Sequence, residues 1–124
     1  RIQEVHAQLI PDTKSGTPGS DAVKVKGVIT WVGVNDGLAA EVRIYDRLFT
    51  DANPDAGGKD FMALLNPSSL ETIRAYVEPG MVNVEPDTRL QFERHGYFVA
   101  DRVDSVLGKP VFNRVTTLKD SWGK

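Results

Sequence analysis

Apolar and polar positions alternate along most of this chain, and clusters of turn-forming residues interrupt them roughly every 8–15 residues. In VKVKGVITWVG, residues 23–33, Val23, Val25, Ile29 and Trp31 share one parity, and Lys24, Lys26, Val28, Thr30 and Val32 the other. The second parity begins charged and ends apolar, as in a strand that leaves solvent and enters a core. VNDGL pivots on Asp36-Gly37, and AAEVRIYDRLF, residues 39–49, supplies a second strand, so the two predict a hairpin. SLETIRAYV comes next, with Ile73, Ala75 and Val77 on its buried parity. A further strand is expected over residues 89–101 and a last one over VFNRVTTL, residues 111–118. RIQEVHAQLI, residues 1–10, fits either period. The strand reading is favoured because strand-like segments dominate the rest of the chain. DFMALLNP, residues 60–67, is the one short helix candidate, with Asp60 as its cap and Asn66-Pro67 as its stop. Five or six short strands with one short helix plugging an end describe an all-β barrel or sandwich. Trp31 and Trp122 are expected as core or edge anchors.

Composition narrows this only slightly. The 124 residues suffice for one domain of ordinary size, and 40% hydrophobic with 26% charged content is typical of a globular protein. The net charge of −2 hides a gradient. Residues 1–88 carry 8 Lys or Arg against 13 Asp or Glu, whereas residues 89–124 carry 7 against 4. The C-terminal third therefore permits an anionic partner without requiring one. Cysteine is absent, which excludes disulfides, thiol catalysis and cysteine-based metal sites and agrees with a reducing compartment. No apolar window is long enough to span a membrane, and no secretory pattern opens the chain. Because the chain begins at Arg1 and not at methionine, a fragment of a longer protein is expected.

Enzyme chemistry is poorly represented. A zinc site would need both histidines, His6 and His95, plus carboxylates. DANPDAGG, residues 51–58, begins like a calcium loop, but Ala56 takes the required glycine position and Met62 replaces the closing glutamate. Gly57-Gly58-Lys59 continues into Asp60, so it does not end a phosphate-binding loop, and no serine lies in a nucleophile elbow.

The exception is LQFERHGYFVADR, residues 90–102, where Gln91, Glu93, Arg94 and His95 crowd between apolar anchors. Such residues are ordinarily the wet face of a strand. Gln91 and Arg94 also carry the donors and acceptor that a splayed-out pyrimidine requires, and the arginine can hold a phosphate. An ideal strand would put the two on opposite faces, so a shared ligand needs a twist, a bulge or a strand end near Glu93, which Gly96 makes feasible. Arg89, Arg102, Lys109 and Arg114 extend a mild positive patch around them. In VRIYDRLF, Tyr45 and Arg47 present a second aromatic and basic surface, suited either to RNA or to packing and ion pairs.

KVKGVITWV, EVRIYDRLF, LNPSSL, LQFERHGYF and KPVFNRVTTLKDSW, in this order and spacing, resemble successive blocks of the C-terminal anticodon-binding region of bacterial glutaminyl-tRNA synthetases, from about residue 22 to residue 122. The resemblance implies a ribosomal L25-like β-barrel with a short helical insertion. Residues 1–21 would be the end of a preceding anticodon-binding barrel and loop, and residues 22–124 the second barrel and C-terminal tail. It also implies that Gln91 and Arg94 contact the middle anticodon base, a uracil, while Lys24, Lys26 and Arg114 touch the RNA backbone or pack between domains. His95 stands where that family often has glutamate, and no base role is assigned to it. The implied partners are the anticodon arm of glutamine tRNA and the upstream barrel and catalytic domain of the same chain. The implied location is the cytoplasm. The fragment would be non-catalytic, serving a ligase that uses ATP with magnesium in its missing domain. The rival readings are a related glutamyl-tRNA synthetase and a protein-interaction barrel that binds no RNA.

Overall fold

The computed structural model describes residues 1–119 and divides the chain into two units, Arg1–Thr30 and Trp31–Lys124. In the second unit five strands form one sheet: β1 (Leu38–Tyr45), β2 (Leu70–Val77), β3 (Arg89–Phe92), β4 (Gly96–Ala100) and β5 (Val111–Thr116). Their order across the sheet is β2-β1-β5-β4-β3. β1 pairs antiparallel with β2, setting Ala40 against Ala75 and Val42 against Ile73, so the apolar parities of both strands share one face. β5 enters between β1 and β4, parallel to the first and antiparallel to the second. This places Phe112 beside both Val42 and Ala100 at the centre of the sheet, where it is fully buried. Ala40, Val42, Val77, Phe98, Ala100 and Phe112 make the core, with Leu90 and Phe92 packed against it from the β3 side. Burial of a side chain of Phe or Val size contributes about 1.5–3 kcal/mol, so this short row dominates the stability of the sheet.

The long β1–β2 connection is organised by local polar bonds. Asp60 caps a 3-10 turn over Phe61–Leu64 by accepting from the Met62 N–H at 3.0 Å. Asn66 then donates to the Arg47 carbonyl at 2.9 Å and accepts from the Ser68 N–H at 3.0 Å, which returns the chain to the sheet. The expected helix over residues 60–67 is therefore a single tight turn, ended where Asn66-Pro67 was expected to end it.

Several expectations are corrected. The L25-like β-barrel does not form: the sheet is open, with β2 and β3 as its two edges. β3 offers four residues to the eight of β2, and the turn Pro79–Asn83 instead brings Met81 and Val84 against the core. The predicted strands over residues 1–10 and 23–33 are absent, as is the hairpin between 23–33 and 39–49. β1 satisfies its ladder with β2 and β5 instead, and alternation without a bonded neighbour does not hold a strand. Trp31 is no anchor: it is 78% exposed. Trp122 lies outside the described residues. The single strand expected over residues 89–101 is a hairpin, β3 and β4 joined by Glu93-Arg94-His95.

Candidate nucleic-acid interface

The β3–β4 hairpin is built around Phe92. Its ring packs on Phe98 at 4.8 Å and edge-on to Phe112 at 5.1 Å between centroids. With Leu90 and Phe92 turned to the core, Arg89 and Gln91 face the other way and are exposed. The alternation stops at Phe92. The His95 N–H donates to the Phe92 carbonyl at 3.0 Å, closing a turn whose third residue, Arg94, has φ 68°. A negative φ at Glu93 followed by a positive one at Arg94 is the type II pattern, which ordinarily takes glycine at that third position. Arginine there holds a left-handed backbone at a cost of about 1–2 kcal/mol.

Gly96 fixes the far side of the turn. Its φ is 140°, and a Cβ on it would lie 2.5 Å from the Thr116 carbonyl oxygen. Only glycine lets β4 approach β5 this closely. One residue further on, the β4–β5 register shifts between Tyr97 and Phe98. Such a bulge bends and twists a strand.

The structure thus places Gln91 and Arg94 on one hairpin, at the end of a strand and in the turn beyond it, both exposed. Neither takes part in a side-chain hydrogen bond or ion pair among the described residues. Arg114 belongs to β5 opposite Phe98 and is half-buried. Lys24 and Lys26 are exposed and belong to the first unit, and the hairpin belongs to the second. Of the other basic residues, Arg102 is paired with Asp87 at 2.9 Å, and Arg89 and Lys109 are exposed.

On the second surface, Tyr45 is drawn into an internal network centred on the nearby Arg43. Arg43 on β1 meets Glu41 at 2.7 Å, Asp104 at 2.7 Å and Asp101 at 3.6 Å. Asn113 on β5 donates to Asp101 at 2.6 Å and accepts from the Tyr45 hydroxyl at 3.0 Å. Asp101 also accepts from the backbone N–H groups of Asp104 and Val103. These bonds, the Asp104 N–H foremost, with help from Asn113 and the Arg43 charge, lower the Asp101 carboxyl to a pKa of about 2. The hydrogen bonds that Arg43 donates to Asp104 and Glu41 raise its pKa further above its already high value. The network ties the parallel β1–β5 seam to the loop after β4. Sequence reasoning missed it, because no spacing links Arg43 to Asp101 and Asp104. Arg47, the other basic residue of that surface, is exposed, with Asp46 at 3.7 Å.

Residues 28–101 match the family described as tRNA synthetases class I (E and Q), anti-codon binding domain. The chain belongs to that family. It is 67% identical over 120 residues to a glutamine–tRNA ligase of Cupriavidus taiwanensis, covering 97% of this chain and 20% of that protein. A glutamine–tRNA ligase of Ralstonia nicotianae is 63% identical over 123 residues, covering 99% of this chain and 21% of the relative. One from Bordetella avium is 59% identical over 121 residues, covering 98% and 20%. The chain therefore corresponds to a fragment spanning about one fifth of these curated relatives, and the sequence blocks that carry the resemblance fall in the matched stretch. Among the described residues no helix is long and apolar enough to cross a membrane, and no group of three or more His, Cys, Asp or Glu is arranged to hold a metal ion.

Proposed function

We propose that this chain is part of the anticodon-binding region of a cytoplasmic glutamine–tRNA ligase, and that its β3–β4 hairpin reads the middle anticodon base of glutamine tRNA. Residues 1–21 end the preceding anticodon-binding domain, and residues 22–124 form the second. Glutaminylation, with its ATP and magnesium, belongs to a catalytic domain elsewhere in the complete enzyme. One observation carries the reading: Gln91 and Arg94 stand exposed and unpartnered among the described residues, on either side of the half-buried Phe92. Strand periodicity alone would have separated them. The strand ends after Phe92 and Arg94 follows in a left-handed turn, which supports a reading in which both side chains serve one ligand at the hairpin end. There a flipped-out uracil takes donors from the arginine fork and the amide, and cytosine, with an amino group in place of one carbonyl, leaves a donor facing a donor. Lys24, Lys26 and Arg114 serve the RNA backbone or the contact between domains.

The test compares the complete ligase with its Gln91→Ala and Arg94→Ala variants, binding glutamine tRNA that carries uracil or cytosine at the middle anticodon position. A lost hydrogen bond to a buried polar partner is worth about 1–3 kcal/mol, hence about a 5- to 150-fold loss of preference for uracil. Unchanged preference in both variants would overturn the reading.

A further inference from the structure

Gln91 is directly opposite Tyr97 in the β3–β4 ladder, so the two side chains share the face of the sheet turned away from the core. Resting on the function proposed for this hairpin, we propose that Tyr97 is a stacking platform for the base that Gln91 and Arg94 read.

Tyr97 is 45% exposed, although Gly96 and Phe98 on either side of it are buried. The phenylalanines of the hairpin stack on one another, and Tyr45 gives its hydroxyl to Asn113. Tyr97 makes neither kind of contact among the described residues, and its ring stays partly open to solvent. Its backbone, by contrast, is held on both sides. Gly96 is pressed against the Thr116 carbonyl, and the register shift between Tyr97 and Phe98 twists the strand under the ring. A rigidly mounted, unpaired aromatic ring next to a row of donors is what an unstacked base requires: the ring accepts the π-face, and the neighbouring side chains take the edge. Arg89, two residues before Gln91 on the same face, adds a cation on the strand side of the ring for the adjoining phosphate.

Binding of the complete ligase to two anticodon stem-loops tests this, one with uracil at the middle position and one with an abasic ribose there. Tyr97→Ala is expected to weaken the uracil stem-loop by about 10- to 100-fold, in the range found when a stacking aromatic is removed. Tyr97→Phe keeps the ring and is expected to stay within about two-fold of wild type. On the abasic stem-loop Tyr97→Ala should cause no further loss. Equal losses on the two stem-loops would mean that Tyr97 only supports the fold, and no loss on either would mean that it does not touch the RNA. Both results overturn the platform. If Gln91→Ala and Arg94→Ala leave the uracil preference intact, the reader itself fails, and the platform proposed for its base fails with it. If they abolish the preference while Tyr97→Ala acts alike on both stem-loops, the platform alone falls.

Discussion

Two groups of polar side chains on this sheet look alike in the sequence and have opposite fates. Arg43, Tyr45, Asn113, Asp101 and Asp104 bond to one another across β1, β5 and the loop after β4. Gln91 and Arg94, on the β3–β4 hairpin, bond to nothing among the described residues. Both groups combine strand residues with residues of an adjoining turn or loop, and both are partly basic. The first is a brace, because each donor already has its acceptor. The second retains its bonding capacity for something outside the chain. Residue type therefore said little about which surface recognises a ligand, and the supply of internal partners said most.

The largest expected effect tests whether the hairpin is rigid. Gly96→Ala would force a Cβ against the Thr116 carbonyl at a φ that side chains rarely adopt, at a cost of about 3 kcal/mol. Urea denaturation should show that loss, and RNA binding should fall with it. A fully stable variant would mean that β4 does not depend on the close approach to β5. Next comes the brace. Arg43→Met should lower stability by about 1–2 kcal/mol and leave discrimination at the middle anticodon base untouched. A change in discrimination would erase the contrast between the two regions. A smaller effect of opposite sign sharpens it. Arg94→Gly should relieve the left-handed backbone and stabilise the hairpin by about 0.5–1 kcal/mol, while the preference for uracil is lost. Hydrogen exchange of the β3 and β4 amides would show the gain, and slower exchange joined to retained preference would separate Arg94 from recognition.

A last effect is on pH. Asp101 has its folded pKa lowered to about 2 from the usual 3.8, so it binds its proton less readily folded than unfolded. Its contribution is complete above the unfolded value and fades as pH drops from about 4 to about 2. Asp101→Asn should flatten the acid limb of a stability–pH profile over that window, and an identical slope in both proteins would show that the brace does not depend on this charge.

Much of the second unit was readable from local pattern. The parity of β1, the Asp60 cap and the Asn66-Pro67 stop arise from side-chain alternation or bonds within a few residues, whereas on β2 Val77 is buried as expected and Ile73 is 38% exposed. LQFERHGYF was also recognisable as the place to look for a site, and a break near Glu93 was named as the condition for a shared ligand, although a single strand was expected there. Residues 23–33 mark where such reading ended. They alternate as well as residues 39–49 do, yet only the latter region forms a strand.

The sequence by itself determined the apolar face of β1, most of the turns and, through its ordered blocks, the family. Tertiary structure decided that the sheet stays open, that β5 inserts between β1 and β4, that residues 89–101 fold back as a hairpin, and that Arg43 rather than Arg94 is neutralised. The division has a physical cause. Alternation and capping are set by neighbours along the chain, whereas a strand partner or a salt-bridge partner is chosen among groups far apart in sequence. That choice rests on small differences in burial and hydrogen bonding set against the entropy of closing the loop.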